Sequence, residues 1–124
     1  MKKLLLIIAM APLLLATQCN EDDNGIACTE EARAGLNITI KDAETNLYLS
    51  EGVSVIATDG SYSEALISFD VVEPIFSGAY EREGNYIITV SKSGYVTYTS
   101  EIITVTSDVC HVIPQRITIL LQPE

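Results

Sequence analysis

The sequence predicts an all-β fold, an antiparallel Greek-key β-sandwich of about seven strands. Three observations predict it. Beyond the first eighteen residues, Val, Ile and Thr make up 32 of 106 positions, a composition suited to pleated, half-buried surfaces. Apolar residues recur with period two in several short runs. Turn residues punctuate those runs about every ten positions, the spacing of sandwich strands. A chain of 124 residues is the length of one domain.

The elements follow in order. Leu36, Ile38 and Ile40 alternate with polar residues between Gly35 and Lys41, which predicts a half-buried strand. Asp42 to Asn46 is polar and predicts a turn. Val53, Val55 and Ala57 form a second strand that stops at the turn pair Asp59-Gly60. Ala65, Ile67, Phe69 and Val71 predict a third apolar face. Pro74 interrupts the chain, so the strand from Ile75 to Tyr80 is expected to start beyond it and to lie at an edge. After the charged turn Glu81 to Gly84, Tyr86, Ile88 and Val90 form the inward set of a fifth strand. Ser91 to Gly94 turns the chain again. Tyr95 to Thr99 and Glu101 to Val105 predict one long strand or two short ones. Val109 to Leu121 is β-rich, with Ile117, Ile119 and Leu121 alternating and Pro114 marking a bend. Thr29 to Arg33 is the only helical candidate. It is too short to stand alone and is expected to form an irregular lead-in.

The N-terminus predicts export. Lys2 and Lys3 precede thirteen residues, Leu4 to Ala16, that are apolar apart from Pro12. This is the order of a secretory signal peptide, assigned to residues 1–18. As a helix the apolar stretch spans about 20 Å, short of the roughly 30 Å of a bilayer core. Ala16-Thr17-Gln18-Cys19 places a cysteine at the expected cleavage point. It resembles the lipobox of bacterial lipoproteins, in which that cysteine becomes the lipidated first residue. Ala16 and Gln18 depart from the preferred Leu and small residue of that motif. The alternative is a plain secreted protein with Cys19 free or paired. Residues 19–30 then form an acidic tether, since Glu21-Asp22-Asp23 stays solvated and is repelled by anionic headgroups. The run is also similar to the acidic sorting segment of some surface-exposed Gram-negative lipoproteins. The folded domain is expected over 31–124.

The chain has three cysteines. With Cys19 lipidated, Cys28 and Cys110 remain as a disulfide pair for an oxidising compartment. They flank nearly the whole domain. Cys110-His111 offers two adjacent metal donors, but strand neighbours point to opposite faces and the chain has no second histidine. No metal site is assigned, and His111 is given a structural role.

Gly84-Asn85-Tyr86-Ile87-Ile88-Thr89-Val90-Ser91-Lys92-Ser93-Gly94-Tyr95 resembles the G-x-Y-x-h-x-V-x-x-x-G-Y core, with h hydrophobic, of carboxypeptidase regulatory-like domains. Asp59-Gly60-Ser61-Tyr62 resembles the D-G-x-Y turn that precedes this core. The resemblance covers about Gly35 to Leu121 and implies a transthyretin-like sandwich. That family accompanies carboxypeptidases and does not itself hold their zinc site, so the resemblance implies no cofactor. Physically, Gly84 is expected to allow a tight strand start, Tyr86 to place its ring in the core with its hydroxyl at the rim, and Gly94 to turn the chain so that Tyr95 packs over one end. Between Tyr62 and Gly84 this chain is longer than the compact family form, by enough for an additional hairpin. This 62–83 insertion is where a private function is expected, because binding residues concentrate on loops.

Charge narrows the partners. Without the leader, five basic residues face seventeen acidic ones, a charge of −12. That argues against nucleic acid and against polybasic membrane contact. No nucleophile elbow, P-loop or dinucleotide fingerprint is present, and no catalytic residue is assigned. The expectation is therefore a non-enzymatic, lipid-anchored protein of the bacterial cell envelope, held at the outer membrane and facing the periplasm or the cell surface. Its role would be structural, adhesive or partner-binding, towards a protein or a glycan. The alternative is a small-ligand or carbohydrate-binding module using the insertion loops, with Tyr62 and Tyr80 as candidate ligand-binding residues. A carboxylate-based enzyme is the third reading.

Overall fold

The computed structural model describes residues 27–124. The expected leader, the expected lipidation position Cys19 and the expected tether up to residue 26 lie outside the described residues. Among the described residues there is no helix, and none is long and apolar enough to cross a membrane. Eight strands form: β1 (Ala34–Asp42), β2 (Ser54–Asp59), β3 (Tyr62–Ala65), β4 (Phe76–Tyr80), β5 (Gly84–Ser91), β6 (Tyr98–Thr99), β7 (Ile103–Val105) and β8 (Gln115–Leu121).

They make two sheets. One has the order β4-β1-β8, and the other runs β3-β2-β5-β6 with β7 also on β5. The alternating residues Leu36, Ile38 and Ile40 of β1 meet Val55 and Ala57 of β2 and Tyr86, Ile88 and Val90 of β5 in one buried cluster, completed by Ile119 and Leu121 of β8. Period two is what allows each strand to give every second side chain to this core. Phe76 and Pro74 are also buried, and β4 is an edge strand, as Pro74 predicts.

Four differences from the sequence expectation have physical causes. First, the sheets are not wholly antiparallel. β1 and β8 pair in parallel, from Leu36 opposite Gln115 to Asp42 opposite Leu121. A parallel pair needs a long crossover, and here the second sheet and β4 are that crossover. Second, β3 ends at Ala65, and the residue that enters the core is Leu66, whereas Ile67, Phe69 and Val71 are exposed. Asp70 Oδ1 accepts from the Val72 and Glu73 amides at 2.8 and 3.4 Å, an Asx turn that ends any extended run. Third, β3 and β4 are not a hairpin. They lie in different sheets, joined by a single bridge between Ile67 and Ser77. Fourth, Val109 to Pro114 is not strand. Asp108 Oδ1 accepts from the Cys110 and His111 amides and folds the segment into a turn. The stretch after Tyr95 resolves into two short strands, β6 and β7.

The motif glycines divide by role. Gly60 and Gly94 sit at φ +64° and +87°, the left-handed region that favours glycine. Gly84 is different. Its φ is not positive, and a Cβ there would meet the side-chain ends of Asp59 at Oδ2, 2.5 Å, and Arg82 at Nη1, 3.0 Å, so its place is set by the packing of those side chains rather than by backbone conformation.

Strand direction gives the domain two distinct ends. β1 runs from Ala34, opposite Tyr80, to Asp42, opposite Leu121. The lead-in residues, Glu81 and the 108–112 turn gather at the first end. The β1–β2 connection and Tyr95 gather at the second, and the β3–β4 loop leaves the sheet edges midway, level with Asn37 and Ile38, and shares a cleft with Ser50 and Glu51 of that connection. Nine residues of β1 place these ends about 30 Å apart.

Candidate functional site

At the lead-in end, each disulfide cysteine is followed by a polar residue that meets its counterpart. Cys28 and Cys110 are bonded, with Cα atoms 5.3 Å apart. Next in sequence, the Thr29 hydroxyl and His111 Nε2 lie 2.9 Å apart. His111 Nδ1 lies 2.6 Å from Glu81 Oε2. Glu81 also accepts from the Arg33 amide at 3.0 Å through Oε2 and from the Val112 amide at 3.0 Å through Oε1. Its carboxyl is held below the ordinary carboxylate range, first by the His111 ring and then by those two amides. An ionised carboxylate only accepts, so Nδ1 carries a proton, and in the neutral ring Nε2 accepts from Thr29.

The order hydroxyl, imidazole, carboxylate is that of a nucleophile with its base and orienting acid. An open cleft of about 470 Å³ adjoins it, lined by Thr29, Arg33, Val109 and His111 among others. The hydrogen bonds in place do mechanical work, tying three backbone segments to one carboxylate. The Cys28–Cys110 bond and the Thr29–His111 contact join the exposed lead-in to the 108–112 turn. Sequence alone carried a signal for part of this: a 28–110 disulfide brings 29 and 111 together. It carried none for Glu81, which is brought in by the β1–β4 register and a left-handed φ of 52°.

Near the same end lies a second polar cluster. The Arg82 guanidinium sits 3.6 Å over the Tyr62 ring, within cation–π range. Its Nη1 donates to Asp59 Oδ2 at 3.1 Å and to the Tyr86 hydroxyl at 2.9 Å. The Tyr86 ring is fully buried, and its hydroxyl donates to the Arg82 carbonyl at 2.9 Å. Tyr62 donates to Glu64 Oε1 at 2.7 Å, and this bond is the main reason its hydroxyl pKa is raised. Glu64 Oε1 also accepts from the Ala79 amide at 2.9 Å, which covers an edge of β4. One face of Tyr62 is thus occupied by Arg82. Tyr80 is half exposed at the end of β4 in the other sheet.

The surface away from the lead-in end is apolar and open. Leu66 and Pro74 are buried and pin the two ends of the β3–β4 loop. Between them, Phe69 is 85% and Val71 87% exposed, with Ile67 and Val72 also exposed and Ile75 partly so. On the adjoining β1–β2 connection Leu47 and Tyr48 are exposed as well. A cleft of about 570 Å³ runs beneath the loop, lined by Ser50, Glu51, Ser68, Asp70, Val71 and Phe76. Among the described residues no group of three or more His, Cys, Asp or Glu is placed to hold a metal ion. The insertion expected to carry function therefore divides: Tyr62 and Tyr80 stand at the lead-in end, and its apolar tip stands away from it. No protein-family model matches the chain, and no curated protein matches it.

Proposed function

We propose that this chain is a lipid-anchored, non-enzymatic partner-binding module. In this reading Cys19 carries the lipid at the bacterial outer membrane. A carboxypeptidase regulatory-like, transthyretin-like Greek-key sandwich then holds the 66–75 loop out towards a protein. One observation carries the reading. Apolar side chains on a single loop are exposed away from the end where the chain leads in. Isolated exposed apolar residues are ordinary, but a concentration of them on one loop marks an interaction surface.

The placement also bears on what is bound. A loop that shares a cleft with the β1–β2 connection lies away from the tethered end, and a net charge of −12 without the leader disfavours an anionic lipid surface. The carbohydrate reading draws less support, because the Tyr62 face that would stack on a sugar is covered by Arg82.

The test combines metabolic labelling by an alkyne fatty acid with recovery of complexes from cells. Label is expected on the wild type and lost in Cys19→Ser. The partner recovered with the wild type is expected to be lost in Phe69→Ser/Val71→Ser, with labelling unchanged. Label retained in Cys19→Ser removes the anchor, and complexes indifferent to the loop variant remove the binding surface.

A further inference from the structure

We infer that the cleft beneath the 66–75 loop receives a lysine or arginine side chain carried on an apolar segment of the partner protein; this rests on the partner-binding reading of the loop. The chemistry of the cleft points to it. It is lined by the apolar Phe76 and Val71 together with the polar Glu51, Asp70, Ser50 and Ser68, Phe76 being buried and Val71 exposed. A long basic side chain matches that mixed lining, since its methylene stem can lie on apolar groups while its cation reaches polar ones. The volume, about 570 Å³, falls in the range of built ligand clefts, about 300–1,000 Å³.

The carboxylates are also available. Among the described residues three ion pairs form, Arg33–Glu31, Arg82–Asp59 and His111–Glu81, and all three stand at the lead-in end. At the loop end neither lysine forms an ion pair with these carboxylates. Lys41 Nζ lies 4.9 Å from the centre of the Tyr48 ring, and Lys92 Nζ donates to the Glu51 backbone carbonyl at 2.6 Å. Asp70 spends Oδ1 on the turn amides of Val72 and Glu73. The loop end therefore offers negative charge and apolar area together, and a basic residue flanked by apolar ones is the complementary occupant. Phe69, Val71 and Val72 supply the apolar rim on which the flanking residues would rest.

The experiment pans a random twelve-residue phage-display library on the full chain in detergent. The best peptide is then synthesised and titrated, together with its analogue carrying norleucine in place of the basic residue. Enriched peptides are expected to share a lysine or arginine between apolar residues. Norleucine should weaken binding about tenfold or more, a loss of about 1.4 kcal/mol. The double variant Glu51→Gln/Asp70→Asn, which keeps the turn acceptor of Asp70, should weaken the basic peptide to the level of the norleucine one and leave the latter unchanged. Peptides without a basic residue whose binding is lost in Phe69→Ser/Val71→Ser would overturn the basic-residue inference while the loop reading stands. Peptides indifferent to that loop variant, or no enrichment at all, would overturn both.

Discussion

Glu81 and His111, thirty residues apart in sequence, are joined by a 2.6 Å hydrogen bond between a carboxylate and an imidazole. His111 is only 7% exposed, and its other nitrogen reaches Thr29. Because Glu81 also holds the Arg33 and Val112 amides, this one carboxylate fastens the lead-in segment, the end of β4 and the 108–112 turn together. The Cys28–Cys110 disulfide closes the same junction covalently. Any pull on the N-terminal segment would be borne here.

Acid should loosen this junction. The Glu81 pKa is lowered from an ordinary value of 4.5 by the His111 ring and two amides. A carboxylate depressed in the folded state adds stability that is complete above its unfolded pKa and is lost as pH falls through its folded one. Glu81→Gln should therefore lower the Tm near pH 7. The gap between variant and wild type should close as pH falls below 4.5, the ordinary value of this carboxyl. Thermal melts across that range check it, and parallel curves would deny the carboxylate its role. Asp42 and Asp108, also lowered by hydrogen bonds from Tyr95 and from the His111 and Cys110 amides, keep some acid sensitivity in the variant.

Removing the disulfide should cost more. The bridge spans 82 positions, for which loop-closure entropy gives about 4–5 kcal/mol. Cys28→Ser/Cys110→Ser is expected to shift the urea midpoint down accordingly, with the slope raised by a looser denatured state. An unchanged midpoint would show that the lead-in segment is held without the bridge.

Tyr86→Phe keeps the buried ring and removes a hydroxyl that donates to the Arg82 carbonyl and accepts from its guanidinium. Loss of one such group costs about 1 kcal/mol, measurable by urea denaturation. A loss nearer about 4 kcal/mol, as for deleting a whole aromatic side chain, would mean that the ring itself had shifted.

Gly78→Ala tests how the sheet edge is closed. A Cβ at Gly78 would run into Leu66 Cδ2 and come within 2.8 Å of Glu64 Oε2. The variant should lose about 1–3 kcal/mol and unseat Leu66, the inner anchor of the 66–75 loop. By contrast, Phe69→Ser and Val71→Ser touch exposed groups and should each stay within about 0.5 kcal/mol of the wild type. Equilibrium denaturation of the three variants side by side checks this contrast.

How much of this was legible in sequence depends on what each residue's signal encodes. Leu36, Ile38, Ile40, Tyr86, Ile88 and Val90 announce their strands because period-two burial is local. Ala65, Ile67, Phe69 and Val71 alternate as regularly yet lie outside the core. Alternation does not say whether the apolar face meets core or solvent, and the deciding cue was the Asx turn of Asp70. Nor does alternation encode strand direction, so the parallel β1–β8 pair was hidden. At the lead-in end, Thr29 and His111 follow from the cysteine pairing, while Glu81 depends on tertiary register. The clustering of apolar residues on the 66–75 loop is visible as composition, but its alternation predicts a strand.

The central claim is that the exposed loop, not the tethered end, meets the partner. Photo-crosslinking tests it most directly, with p-benzoylphenylalanine introduced at position 69 or at position 80 in cells that carry the chain naturally. A discrete protein adduct from position 69 and none from position 80 is the predicted result. An adduct from position 80 alone, or from neither, would contradict it.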